Sequence, residues 1–196
     1  MNRRFLFVAA LPLSVASGSA AELPTERTIG RIEAVFEFRG AMPTGVSVAP
    51  NGRIFVNFPL WGDDVPFTVG EIRGGRLVAY PDAEVNRGDK TRPGKTFISV
   101  QSVVADGRNR LWVLDTAAPH FTEPVPGGAK LVAIDLANNR ISKTIVFGPD
   151  VVLPKTYLND VRFDLRQGKD GVAYITDSGT VCLSSWTSPR AWCGAV

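Results

Sequence analysis

The sequence predicts an all-β protein built from repeated hairpins, and three observations support this fold class. The 196 residues include 19 Gly and 14 Pro, a composition that suits many short strands joined by turns. Apolar and polar residues alternate in short runs, as they do in strands with one buried face. These runs recur at a long and nearly constant period, which indicates one structural unit used several times.

The repeated unit is a strand, a polar turn containing Gly, Asn or Asp, and a second hydrophobic strand. It occurs at Gly45–Phe58, Ser102–Asp115 and Asp160–Asp177, so successive units begin 57 and 58 positions apart. Further hairpin patterns fill the intervals at Gly70–Tyr80 and Ala129–Phe147. A hairpin repeat slightly longer than the usual ~40 to 50 residues of a propeller blade predicts a β-propeller with about three blades here. A two-sheet sandwich is the alternative, and the long period argues against it.

Composition excludes several other classes of protein. With 44% hydrophobic and 21% charged residues, the chain has enough apolar surface to form a globular core. The formal net charge of +3 includes Arg3 and Arg4, which lie in a segment that we expect to be removed. The remaining chain is close to neutral, so nothing in its charge suggests a nucleic-acid partner.

The N-terminus has the pattern of a secretory signal peptide. Arg3 and Arg4 precede an apolar run from Phe5 to Val15, and small residues end the segment at Ala21. The pattern predicts a signal helix over residues 1–21 and a mature protein that starts at residue 22 and is secreted, either extracellular or periplasmic. A buried first helix or strand is the alternative. No second long apolar stretch follows, so we expect no membrane attachment after cleavage.

Several motifs between residues 40 and 179 resemble the major royal jelly/Yellow family, in order and with similar spacing. They are residues 58–61 (FPLW), 65–68 (VPFT), 80–82 (YPD), 99–101 (SVQ), 110–116 (RLWVLDT), 130–136 (KLVAIDL), 157–162 (YLNDVR) and 173–178 (AYITDS). The resemblance implies a secreted six-bladed propeller with a central channel. At the observed period, residues 22–179 would form an incomplete propeller domain of this type.

The last 17 residues, 180–196, look different from the rest. They contain both cysteines, Cys182 and Cys193, and two of the four tryptophans, while the strand alternation fades. One hypothesis is an out-of-frame tail produced by a frameshift, because a shifted reading of 184–188 allows a strand-like Val-Val-Val-Asp-Leu. The alternative is a natural tail carrying a disulfide between the two cysteines. Resequencing of the locus would distinguish them.

A more distant resemblance to gluconolactonase-like propellers implies a calcium or zinc site at the channel mouth. Asn159 matches one asparagine ligand of those enzymes, whereas their glutamate position falls at Thr44 and another asparagine falls near Gln101. Divalent calcium prefers several oxygen ligands with carboxylates among them. One matching ligand gives weak support, so Asn159 is the sole candidate for a metal ligand and no cofactor is firmly predicted.

Five residues are candidates for contact with a small-molecule ligand: Asn159, Asp160, Gln101, Trp61 and Thr44. The alternative for Asn159 and Asp160 is turn chemistry, since both residue types hydrogen-bond to nearby backbone. The alternative for Trp61 is core packing. We expect Trp112 to lie in the core between blades and Asp115 and Asp177, which end corresponding strands, to be structural.

These observations leave three hypotheses about function. The first is a secreted propeller that binds a small molecule at its channel mouth. The second is an enzyme, either a metal-dependent lactone hydrolase or a dopachrome-converting protein as the resemblances imply. The third is a truncated product without independent function. The single histidine, His120, lies in a Pro-rich loop and is predicted to be a solvated loop residue rather than a catalytic base.

Overall fold

The computed structural model describes residues 30–168 and 171–180, together with the strands Cys182–Thr187 and Arg190–Ala195 as backbone. The chain divides into two units, Met1–Ala34 and Val35–Val196. Residues 30–34, the described part of the first unit, are exposed and have no regular secondary structure. The predicted signal peptide over residues 1–21 lies outside the described residues. All of the strands that the structure describes belong to the second unit.

Three four-stranded antiparallel sheets make up the second unit, each with its strands in sequence order. The first blade contains β1 (Gly45–Val48), β2 (Ile54–Asn57), β3 (Val69–Arg73) and β4 (Arg76–Ala79). The second contains β5 (Val100–Ala105), β6 (Arg110–Asp115), β7 (Lys130–Asp135) and β8 (Arg140–Val146). The third contains β9 (Leu158–Asp164), β10 (Val172–Asp177), β11 (Cys182–Thr187) and β12 (Arg190–Ala195). Short 3-10 helices span Val85–Arg87 and Pro119–Phe121. The predicted all-β, three-blade organisation is confirmed.

Tight turns explain why the predicted hairpins form. Gly74 and Gly75 join β3 to β4 with φ of 57° and 73°, the left-handed conformations that a two-residue hairpin turn requires and that glycine adopts without a steric cost. Asn139, in the turn predicted between β7 and β8, has φ of 60°, which asparagine tolerates better than most residues.

Two hydrophobic clusters lie on opposite faces of the second blade. Leu111 and Val113 belong to a cluster shared with the first blade, whereas Trp112 and Leu114 belong to a cluster shared with the third. This division follows from the alternation of side chains along β6. The Trp112 ring stacks on Phe163 of β9, with centroids 4.9 Å apart. The prediction that Trp112 is inter-blade core is therefore confirmed.

The aspartates that end β6 and β10 make equivalent hydrogen bonds. Asp115 accepts from the backbone N–H of Ser99 (2.9 Å), and Asp177 accepts from the backbone N–H of Tyr157 (2.8 Å). Asp115 also forms a buried ion pair with Lys130, whose Nζ lies 2.6 Å from its Oδ2. Both carboxylates thus fix the residue just before the first strand of their blade, in agreement with the predicted structural role.

The C-terminal segment differs in part from the expectation drawn from sequence. We expected residues 180–196 to lie outside the fold, whereas β11 pairs with β10 and β12 pairs with β11 in continuous antiparallel register. The register places Cys193 opposite Ser184 and Cys182 opposite Ala195. The predicted disulfide concerns side chains outside the described part of the structure, and the frameshift hypothesis stays a prediction.

Within the part of the chain that the structure describes, no helix is long and apolar enough to cross a membrane.

Candidate functional site

The first strands of the three blades lie side by side, and hydrogen bonds between residues 58 positions apart connect them. The N–H of Ala105 donates to Ser47 Oγ (2.8 Å), which connects β5 to β1. Gln101 Nε2 donates to Asn159 Oδ1 (3.0 Å), which connects β5 to β9. These spacings match the repeat period, so the repeat places equivalent polar residues of successive blades next to each other.

Both β5 and β9 carry a β-bulge near their first residues. Gln101 has no partner on β6, because Val100 pairs with Asp115 and Ser102 pairs with Leu114. On β9, Asn159 and Asp160 together occupy the interval that a single residue occupies on β10. In the first blade, β1 pairs with β2 without such a shift. Bulges re-aim side chains and are enriched next to functional sites, and here they bring Gln101 and Asn159 into contact.

A chain of directed hydrogen bonds links all three blades at this point. Trp61 Nε1, from the loop after β2, donates to the Tyr157 hydroxyl (2.5 Å). That hydroxyl donates to Gln101 Oε1 (3.0 Å), and Gln101 in turn donates to Asn159. Gln101 is 7% exposed, so these bonds satisfy a buried amide that would otherwise be costly.

Three aromatic rings stack above this chain. The Phe121 ring lies 5.4 Å from Trp61 and 5.3 Å from Tyr157, at interplanar angles of 24° and 29°. Phe121 is nevertheless 63% exposed. Both His120 and Phe121 have left-handed φ values, 54° and 57°, which cost non-glycine residues roughly 1–3 kcal/mol each. The N–H of His120 donates to Leu60 O (2.6 Å), and this bond holds the strained loop over Trp61.

These groups line an open cleft, which we call the aromatic cleft. It has a volume of about 640 Å³, within the usual range for small-molecule sites. The lining residues are Trp61, Phe121, Thr122, Glu123, Pro154, Lys155, Thr156, Tyr157, Asn159, Ser178 and Gly179. Gly179 is required at its position, because a Cβ there would lie 1.7 Å from the Lys155 carbonyl oxygen.

Burial and hydrogen bonding set the charge states of two groups at the cleft. Burial raises the pKa of the Tyr157 phenol, and the hydrogen bond from Trp61 offsets only part of that effect, so Tyr157 is a neutral donor at physiological pH. For Asp177, burial alone would raise the pKa, but hydrogen bonds from Thr180, Tyr157 and Gly179 outweigh it and lower the pKa. The Asp177 carboxylate therefore stays charged and fixes the Tyr157 backbone.

The structure brings together three of the five candidate ligand residues. Trp61 and Asn159 line the aromatic cleft, and Gln101 hydrogen-bonds to Asn159. The exposed Asp160 instead accepts from Ser102 Oγ (3.2 Å). Thr44 lies at the start of the first blade, where its hydroxyl accepts from Asn57 (2.9 Å).

Sequence reasoning missed the two other aromatic residues of the cleft, Phe121 and Tyr157. Tyr157 opens the YLND motif two residues before Asn159, so its position in that motif was the available signal. No local signal in the sequence predicted the left-handed backbone that turns Phe121 onto Trp61. His120 is exposed, as predicted for a solvated loop residue.

The implied calcium or zinc does not fit these residues. The Asn159 Oδ1 and Gln101 Oε1 atoms, which would coordinate the ion, each already accept a hydrogen bond, from Gln101 and Tyr157 respectively. Within the described residues, no group of three His, Cys, Asp or Glu side chains could hold a metal ion. We derive no metal-dependent step from this site.

Comparison with known proteins shows which family this chain is similar to. The sequence profile of the family described as "Major royal jelly protein" matches residues 98–192, which extends into β12 and beyond the boundary predicted at residue 179. "Protein yellow" of Drosophila erecta is 27% identical over 169 residues, covering 79% of this chain and 30% of the relative. "Protein yellow" of Drosophila guanche is 29% identical over 167 residues, covering 78% and 28%. The chain thus spans about 30% of the length of these curated relatives.

Among solved structures, a virginiamycin B lyase from Staphylococcus aureus is similar over 79% of this chain and 41% of its own, with 13% identity and a TM-score of 0.45. The three four-stranded sheets of the present structure define a protein of the β-propeller class. Within that class, the chain is similar to the major royal jelly/Yellow family over residues 98–192.

Proposed function

We propose that this chain is a secreted propeller protein that binds a small aromatic amine in the aromatic cleft. The stack of Trp61, Phe121 and Tyr157 carries this proposal, because it presents exposed ring surface beside a fixed set of hydrogen-bonding groups. Aromatic side chains supply large contact areas for flat ligands and prefer offset stacking. They also attract cations through the faces of their rings.

A carboxylate at the rim can pair with an amine. Glu123 lines the cleft next to the exposed Phe121, where its carboxylate would neutralise an ammonium group. Lys155 lies on the rim as well, and the Nδ2 group of the Asn159 amide can donate a hydrogen bond to a ligand hydroxyl. A ligand with an aromatic head and an ammonium group satisfies both the stack and Glu123.

Secretion is tested first. The full chain is expressed in a secreting host, where export with cleavage after Ala21 gives a product whose first residue is Glu22. Retention in the cell with the N-terminus intact contradicts secretion.

A second experiment separates binding from the enzyme alternatives. The purified protein is titrated calorimetrically with serotonin and tryptamine, and is assayed for lactone hydrolysis and dopachrome conversion. Saturable heat without turnover supports a binding protein, whereas turnover of either substrate supports an enzyme and contradicts the proposal.

A matched pair of variants locates the site. We expect Phe121→Ala to weaken binding about three- to tenfold, the scale of one aromatic contact, without unfolding the protein because the ring is largely exposed. Phe36→Ala removes a partly buried aromatic ring that lines a different depression, on the first blade, and should leave the affinity unchanged. Equal effects of the two substitutions, or no saturable heat with the unmodified chain, would contradict the proposal.

A further inference from the structure

A second depression, which we call the apolar groove, continues directly from the aromatic cleft. It has a volume of about 700 Å³, and Glu123 and Pro154 line both depressions. The side walls are also continuous, because residues 121–127 form one wall and residues 148–156 form the other. The cleft and the groove are therefore adjoining depressions, and we call the two together the trough.

The groove presents mainly carbon to solvent. Its lining includes Val125, Val146, Phe147, Val152 and Leu153. Of these, Val146 is 46% exposed and Leu153 is 50% exposed. Fully burying aliphatic side chains of this size is worth about 1.5–3 kcal/mol each, so half-exposed residues in a concave surface leave part of that energy available to a ligand.

The backbone of the walls has few hydrogen-bonding groups to offer a polar ligand. Four prolines among the lining residues, at positions 124, 126, 149 and 154, have no N–H. Internal hydrogen bonds use the neighbouring groups: Gly128 N–H donates to Val125 O, Val152 N–H donates to Gly148 O and Leu153 N–H donates to the Thr156 hydroxyl. The proline-rich walls are also rigid, which reduces the entropy lost on binding.

The position of Glu123 specifies how a ligand would lie in the trough. Its carboxylate stands where the cleft meets the groove, so an ammonium paired with it has the aromatic stack on one side and the aliphatic walls on the other. We infer that the trough recognises a secondary amine whose nitrogen joins an aromatic head to an alkyl tail, with the tail lying along the groove. This inference rests on the proposed function of the aromatic cleft and specifies the class of ligand.

The test uses tryptamine and its N-methyl, N-butyl and N-hexyl derivatives, titrated calorimetrically into the full chain, with hexylamine as a tail without a head. A buried methylene is worth about 0.8 kcal/mol, or roughly fourfold in affinity. In an open groove we expect about two- to fourfold tighter binding per methylene, and much weaker binding of hexylamine. If N-hexyltryptamine binds no more tightly than N-methyltryptamine while tryptamine itself binds, the groove inference fails and the proposed function stands. If tryptamine does not bind at all, both fail.

Two variants with the same substitution show where the tail lies. Val146→Ser changes an exposed valine of the groove, and Val48→Ser changes an exposed valine of β1 that does not line it. We expect Val146→Ser to reduce the dependence of affinity on tail length and to leave tryptamine affinity unchanged, while Val48→Ser alters neither. If both variants keep the same dependence on tail length as the unmodified chain, the tail does not lie in the groove.

Discussion

Residues that recur from blade to blade and residues that do not recur perform different tasks in this protein. Arg53 and Arg110 occupy equivalent positions directly before or at the start of the second strand of their blades. Each guanidinium pairs with a carboxylate, Glu71 or Asp106, and each lies over an aromatic ring, with distances of 5.0 Å to Phe55 and 5.1 Å to the Trp112 ring centroid. The aromatic side chains of the cleft, Trp61, Phe121 and Tyr157, do not recur in this way; the position equivalent to Tyr157 in the second blade is Ser99.

The recurring groups direct their hydrogen bonds to the protein itself. Arg53 donates to Glu71, to Leu136 O and to Asn139 Oδ1, which fastens the first blade to the second. The non-recurring Phe121 is 63% exposed and has a strained backbone. The comparison teaches that repetition in this chain marks the framework, and that departures from the repeat mark the candidate site. Three substitutions test this division, in order of decreasing expected effect.

Replacing a recurring buried group should cost the most stability. Asp115→Ala leaves the Lys130 ammonium buried, with 1% of its side chain exposed, and removes acceptors for the N–H groups of Ile98 and Ser99. Breaking a buried ion pair from one side costs about 3–5 kcal/mol, measurable by urea denaturation. Asp160→Ala, at an exposed and differently bonded aspartate, should change the free energy of unfolding by no more than about 0.5 kcal/mol. Similar losses for both would contradict the division.

A carboxylate paired with a recurring arginine should also control stability in acid. Burial by itself would raise the pKa of Glu71, but hydrogen bonds from Arg53 and Arg73 outweigh it and lower the pKa below its ordinary value of 4.5. Its stabilising contribution is therefore complete above about pH 4.5 and is lost as pH falls through the lowered value. Glu71→Gln should destabilise the protein by about 1–2 kcal/mol at pH 7, and the difference from the unmodified chain should shrink below pH 4.5.

The control for this pH dependence is Glu84→Gln, because Glu84 is exposed and lies 4.0 Å from its partner Arg92. We expect its stability profile to follow that of the unmodified chain in chemical denaturation between pH 3 and pH 7. A profile for Glu71→Gln that runs parallel to the unmodified chain over this range would show that Glu71 does not have the assigned role.

The smallest effect on stability is expected at a non-recurring position. Tyr157→Phe removes the hydroxyl that accepts from Trp61 and donates to Gln101, at a cost of about 1 kcal/mol. Because the loss frees Trp61 and Gln101 from their fixed positions, tryptamine binding should weaken about fivefold by calorimetry. Tyr174→Phe, which removes a hydroxyl bonded to Gln167 outside the cleft, should leave binding unchanged. If Tyr157→Phe lowers stability but leaves tryptamine affinity unchanged, Tyr157 belongs to the framework and not to the binding site.

Local patterns in the sequence predicted the framework well. Turn residues such as Asn139 and the alternation around Trp112 depend on neighbouring positions only, so the hairpins and the inter-blade core could be inferred directly. The strands over 182–187 and 190–195 were not predicted, because their alternation is weak and their pairing with β10 is a non-local property.

The candidate site was predicted only in part, because its geometry depends on departures from regular structure. Trp61, Gln101 and Asn159 were recognised as candidates, yet the bulges that bring Gln101 and Asn159 together change the register between strands and leave no mark in the local pattern. The left-handed backbone at His120 and Phe121 is held by the hydrogen bond from His120 N–H to the carbonyl of Leu60, which is distant in sequence. Thr44 and Asp160 were candidate ligand contacts because of their residue types. In the structure they hydrogen-bond outside the aromatic cleft, to Asn57 and Ser102 respectively.

The bulges also suggest how a propeller blade could gain or lose a site during evolution. In β5 the bulge is a single extra residue, Gln101, relative to the uninterrupted pairing seen between β1 and β2. A shift by one residue moves every side chain on one side of it to the opposite face of the sheet. Loss of one codon would thus convert a blade with a bulge in its first strand into a blade without one, while the framework aspartates and arginines stay in place. Change in function would then proceed by short insertions and deletions at the first strand, a route that residue-by-residue comparison of homologues would record as a gap.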